Sequence, residues 1–246
     1  MKYFRELTKE FKSKKDIEQK LNFYQNFIEQ KLSENDLLSA LNKCQSALTL
    51  RRENKDFGFG TYVKRFNELN ELINQKILEF RNSYEVKLLN MNYITLTSEN
   101  LEEVLKKYVN IKNQILKEKS KALLEDINQR INLILDYIKK SYELLGIYDI
   151  LNYNQVIETT SSLILKAKSD NLDIFSNFFE KLQSELVKKK VNEIGTSSDI
   201  ISLYDLSKKC LINEYELEKI IKTMIKEKDS WIRVYIKETK TIIFEE

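Results

Sequence analysis

Histidine does not occur anywhere in the 246 residues. Its absence removes histidine-based triads, histidine metal sites and histidine acid–base catalysis. Proline is missing as well and glycine occurs four times, so little in the chain can interrupt a helix. The two cysteines, Cys44 and Cys210, are too few and too far apart for a disulfide framework. Both sit among apolar neighbours at helical spacing and read as buried free thiols. No apolar run approaches the about 18 residues of a membrane span, and no secretory signal is recognisable. The expectation is a cytoplasmic protein with no integral membrane segment. Carboxylate, lysine and cysteine chemistry stay open in principle. No residue stands out as catalytic, cofactor-binding or metal-binding, so the chain reads as a non-enzyme with no cofactor.

What is present is charge of both signs and helical periodicity. Forty-one basic residues face 38 acidic ones, for a net charge of +3, which supplies no strong field toward nucleic acid or acidic lipid. The first fifteen residues place Tyr3 or Phe4, Leu7 and Phe11 on one face among six basic and two acidic residues. That face suits either a membrane surface or, in the plainer reading, the first helix of a bundle. Ile17, Leu21, Tyr24, Phe27 or Ile28 and Leu32 keep the helical period. Ser33 looks like the N-cap of a second helix carrying Leu37, Leu41, Cys44, Ala47 and Leu48. This hairpin resembles a tetratricopeptide-type unit, although no second copy recurs at a fixed period. Asp56-Phe-Gly-Phe-Gly60 reads as a loop. Its Asp-Phe-Gly lacks every other kinase element.

Thr61 to about Asn90 continues as helix, and Thr97 or Ser98 can cap the next one. From Leu101 an apolar stripe runs through Tyr108, Ile115, Ile127, Ile134 and Tyr142 to Leu145, with Gly146 as a natural C-cap. As one helix it would span about 70 Å; the alternative is a bend or split near Lys117 to Lys121. Two further helices fit Asn154 to Lys168 and Leu172 to Ile194, and Gly195 closes the helical region. Lys188, Lys189 and Lys190 read as a solvated face that also suits the helix dipole.

The last segment changes character. Ile200-Ile-Ser-Leu203 suits one strand, Tyr204 to Cys210 and Glu214 to Lys228 two short helices, and Trp231 to Ile236 with Thr241 to Phe244 a β-hairpin. Strand, helix, helix and hairpin is the winged-helix order. A DNA-reading second helix needs basic donors at its start, whereas Asn213-Glu-Tyr-Glu-Leu-Glu218 supplies three carboxylates. Residues 200–246 hold nine basic and nine acidic side chains. Strict alternation puts Ile232, Val234 and Ile236 inward and Trp231, Arg233 and Tyr235 outward. An aromatic–arginine–aromatic row has the composition of an interface hot spot, unless it packs on the helical part of the same chain.

A stack of helical hairpins leading into Ile201-Ser-Leu-Tyr-Asp-Leu-Ser-Lys-Lys, Glu214-Tyr-Glu-Leu-Glu-Lys-Ile-Ile-Lys-Thr-Met-Ile-Lys and Ile232-Arg-Val-Tyr-Ile…Thr-Ile-Ile-Phe244 resembles the proteasome–signalosome–initiation-factor (PCI) domain family. Family members typically carry a glycine before the first wing strand, where this chain has Asp229-Ser230. The resemblance implies a scaffold subunit whose winged helix docks against sister subunits. The expected architecture is mainly α: a helical-hairpin bundle or solenoid over 1–195, then a winged-helix domain with a small β-hairpin over 196–246. The expected partners are other protein subunits or a second copy, met through Trp231, Arg233 and Tyr235. The competing reading is a DNA- or RNA-binding regulator using Lys188, Lys189, Lys190, Lys237 and Lys240.

Overall fold

A computed structural model describes residues 2–227 and 231–245, with side chains from Ser13 onward except at Asn92. The protein is mainly helical and carries a small three-stranded antiparallel sheet at its C-terminal end. It divides into two compact units, residues 1–91 with 104–135 and residues 92–103 with 136–246. The expected boundary at residue 195 falls inside the second unit.

In the first unit, α1 (Lys2–Ser33) and α2 (Leu37–Glu53) form a hairpin. The chain leaves α1 through Asn35, whose φ of 55° lies in the left-handed region. The Asp36 amide then bonds back to the Lys31 carbonyl at 2.9 Å, which satisfies an otherwise orphaned acceptor. Asp36, not Ser33, caps α2 by accepting from the Ser39 amide at 3.3 Å. Ser33 instead ends α1 and donates to the Gln30 carbonyl. Ala40, Cys44 and Ala47 are fully buried, and their small side chains let α2 join a core with Leu21, Ile28, Phe66 and Ile73. The side chains of Tyr3, Phe4, Leu7 and Phe11 lie outside the described residues.

A short 3-10 turn (Lys55–Phe57) and Gly58, at φ 72°, form the expected loop before α3 (Gly60–Asn92). The 98–145 stripe is divided: α4 (Leu101–Lys117) ends, a 3-10 turn covers Lys121–Leu124, and α5 (Glu125–Ile147) follows. Ser120 sits in the break, 1% exposed, where its hydroxyl accepts from the Leu38 amide and donates to the Asn35 carbonyl. Gly146 lies within α5, which runs one residue past it.

In the second unit, Thr97 and Asn100 bond reciprocally ahead of α4, side chain to amide in both directions. Helices α6 (Tyr153–Ser169) and α7 (Asp173–Gly195) form a second hairpin, turned by Asn171 at φ 55°. Tyr137, Phe175 and Phe179 cluster in its core, and the Tyr137 hydroxyl donates to Asp170 at 2.8 Å. Then come β1 (Ile200–Ser202), α8 (Leu203–Lys209), α9 (Glu214–Glu227), β2 (Ile232–Ile236) and β3 (Thr241–Phe244). Asp229 and Ser230, where the family glycine would fall, lie outside the described residues. Ser202 caps α8 and Asn213 caps α9.

The C-terminal elements share their core with α6 and α7. The Tyr153 hydroxyl donates to the Cys210 carbonyl at 2.7 Å in a buried bond. A Cβ built on Gly195 would lie 2.6 Å from Phe244 Cδ1, so α7 and β3 meet where a side chain is missing. These contacts place the residues after 195 in the same unit as the hairpin before them.

Candidate interaction surface

The sheet has the order β1–β3–β2, with both pairings antiparallel. Its inward row is Ile201, Ile242 and, at the other end of the sheet, Ile232 with Phe244, all buried. Successive residues of a strand face opposite sides, so Ile200, Ile243 and Ser202 with Thr241 face outward.

Strand β2 departs from simple alternation. Ile232 pairs with Phe244 and Val234 with Ile243, so two residues of β2 span one step of β3 and Arg233 is the extra one. The bulge moves everything after it by one position. Val234, expected inward, is 42% exposed, while Tyr235, expected outward, is half-buried and pairs with buried Ile242. The outward row Trp231, Arg233, Tyr235 is therefore corrected: Trp231 and Arg233 are exposed, and Tyr235 belongs to the inner side. Burial, then the neighbouring Glu218 carboxylate, pushes the Tyr235 phenol above its ordinary value.

What replaces that row is broader and more apolar. Ile200 pairs with Ile243, and Ile243 pairs with Val234, so three β-branched side chains run across the whole sheet on its outer face. Ile200 is 64% exposed and Trp231, just before β2, is 48% exposed. Ile236 and Thr241 extend the face, both half-buried. An alternation count on Thr241-Ile-Ile-Phe244 alone already marks Ile243 as outward once Phe244 is inward. Val234 was not findable that way, because a bulge leaves no mark in a run of β-branched residues.

The five lysines of the competing reading are not gathered into one patch. Lys188 pairs with Glu227 at the end of α9, and Lys190 pairs with Glu193. Lys189 lies over the Tyr148 ring. Lys240, in the hairpin turn, pairs at 3.1 Å with Glu214 at the start of α9, and that contact holds the ammonium above its ordinary value. Glu214 and Glu227 bracket α9, so the two lysine groups stand about 20 Å apart along that helix. Lys237 is exposed, and its charge reaches Glu218, whose carboxyl is held low chiefly by a hydrogen bond from Lys222.

Burial pushes both thiols, Cys44 and Cys210, up to about 11, which keeps them protonated at neutral pH. Among the described residues no group of three or more cysteine, aspartate or glutamate side chains is placed to hold a metal ion. No described helix is long and apolar enough to cross a membrane. A cleft of about 400 Å³ between α6, α7 and α9 has an apolar floor of Ile164, Ile212 and Ile220. Its rim is balanced, with Lys168 paired to Glu180 and with Glu216 and Lys219 also lining it. Comparison with models of protein families, with curated proteins and with solved structures yields no match.

Proposed function

We propose that the chain is a non-catalytic protein-interaction subunit that docks on its partner through the outer face of the C-terminal sheet. The observation that carries this reading is the outward row Ile200–Ile243–Val234, exposed at Ile200 and Val234 and half-buried at Ile243, with exposed Trp231 beside it. Scattered exposed apolar residues are ordinary, whereas a continuous β-branched row across a sheet is the composition of a contact surface. The same segment is read as a winged helix. The order strand, helix, helix, hairpin and the sheet order β1–β3–β2 support that assignment, and with it a scaffold of the PCI kind in a cytoplasmic assembly.

Docking on the face is favoured over strand addition at the edge. At the β2 edge, the bulge and the charge of Arg233 are devices that keep an edge strand from pairing. Nucleic-acid binding is the weaker reading, since Lys188, Lys190 and Lys240 already have carboxylate partners in separate places.

Affinity capture of the tagged protein from its native host, with and without nuclease, tests the reading. The expected result is a set of protein partners that survives nuclease and is lost from Ile200→Thr/Val234→Thr, a pair that keeps strand propensity while removing apolar surface. Partners that vanish with nuclease and ignore the pair, but respond to Lys237→Glu, would overturn it in favour of nucleic acid.

A further inference from the structure

We infer that the first turns of α1, residues 2–15, form an arm that binds the surface of an acidic lipid bilayer, with Phe4, Leu7 and Phe11 as the stripe that enters it. The arm belongs to the first unit and the sheet to the second, so the inference is independent of the docking face.

Backbone geometry sets the arm apart. α1 runs from Lys2 to Ser33, whereas its hairpin partner α2 has 17 residues and comes back level with about Ile17. α3 runs beside α1 in the same direction, with the Tyr62 hydroxyl donating to Asn22 and Arg65 pairing with Glu29. It begins at Gly60, and the Lys14 ammonium lies 6.0 Å from the ring centre of Phe59, the residue before it. α4 and α5 meet the other half of α3, where the Tyr84 hydroxyl donates to Glu118 and Arg81 to Asp126. Residues 2–13 therefore carry α1 about 18 Å past the level at which α2 ends and α3 begins.

The core row stops at the same place. Among the described residues Ile17 is its first member on α1, followed by Leu21 and Ile28. Stepping back from Ile17 at the same spacing meets Lys14 and then Glu10, which do not suit a core. Phe4, Leu7 and Phe11 make a stripe of their own.

Charge and pattern choose the partner. Six of the 41 basic residues and two of the 38 acidic ones fall in residues 1–15, which leaves 35 against 36 for the rest of the chain. The net positive charge of the protein is thus confined to the arm. At about 100° per residue Phe4, Leu7 and Phe11 share one side and Lys2, Arg5, Lys9 and Lys12 the other. Lys14 and Lys15 straddle the stripe one turn further on, and Glu6 and Glu10 fill the remaining edge. An aromatic stripe backed by cations is the composition of a helix that lies among the headgroups of an acidic membrane. A nucleic-acid backbone would use the cations and leave the stripe idle.

The test is co-sedimentation of the full chain with phosphatidylcholine vesicles that contain about 30% phosphatidylserine, and with pure phosphatidylcholine vesicles. The expected result is saturable binding to the acidic vesicles, at least about tenfold weaker on the neutral ones and weakened by added salt. Phe4→Ser/Phe11→Ser should reduce the acidic-vesicle binding at least about tenfold with the thermal melting unchanged, since both residues precede the core row. Lys9→Glu/Lys12→Glu should remove the preference for acidic vesicles. Four results would each overturn the inference: no binding to acidic vesicles, equal binding to both kinds, binding that ignores Phe4→Ser/Phe11→Ser, or a lowered melting temperature for that pair, which would place the stripe in the core.

Discussion

Among the glycines, Gly195 is the one with no room for a side chain. Alanine there would push a methyl into the buried Phe244 ring at 2.6 Å, which the ring or the α7 backbone must yield to. Gly195→Ala should therefore destabilise by about 1–3 kcal/mol. Thermal melting should show a drop of several degrees, given about 2–4 °C per kcal/mol for a chain of this size. Tyr153→Phe leaves the buried Cys210 carbonyl without its donor and should cost about 1–2 kcal/mol, read from a urea midpoint. The thiols set an alkaline limit. Cys44 and Cys210 titrate near 9 when unfolded and are pushed up to about 11 when folded. Between those values the folded state holds more protons, so stability is full below about pH 9 and falls as pH rises toward about 11. Denaturant midpoints at about pH 8 and about pH 10.5 should show that loss, with none between about pH 7 and pH 8. The burial of both thiols was legible from their apolar neighbours at helical spacing. The closeness of Gly195 to Phe244 was not, since a contact across 49 positions leaves no local pattern.

Among the elements, the ones that follow period alone were readable and the ones set by distant partners were not. Helices α6 and α7 begin and end within one or two positions of the residues that apolar spacing marks. The break between α4 and α5 falls at Ser120, whose hydroxyl reaches the α1–α2 turn, a contact that period alone does not mark, so one helix or two stayed open. Asp36 displaces Ser33 as the cap of α2 because the left-handed Asn35 adds residues to the turn. In β2 one bulged residue exchanges Val234 and Tyr235 between faces, which is why the outward residues were misassigned. The turn between α8 and α9 offers a check on backbone geometry. Leu211 holds φ at 52° and is 47% exposed, so it bears the left-handed penalty while burying little. Leu211→Gly should raise stability by about 0.5–1 kcal/mol, measured by urea denaturation. On the outer sheet face the expectation is the reverse: Ile200→Thr should leave stability within about 0.5 kcal/mol and remove binding instead.

For the whole molecule, the mainly helical class follows from a chain with no proline, few glycines and long apolar stripes. The division into units did not follow, because the C-terminal strands and helices complete the core of α6 and α7. A net charge of +3, with pairs such as Lys188–Glu227 and Lys240–Glu214, supplies no strong field, and the proposed docking rests on shape and apolar surface instead. On the outer sheet face three apolar side chains, Ile200, Ile243 and Val234, stand side by side across the strands. Hydroxyl-radical footprinting of the protein bound to its captured, nuclease-resistant partner tests this most directly. The account predicts protection of Trp231, Val234, Ile243 and Ile200, with Tyr215 on the exposed side of α9 labelled as in the unbound protein. Protection of Tyr215 with undiminished labelling of Trp231 would contradict it.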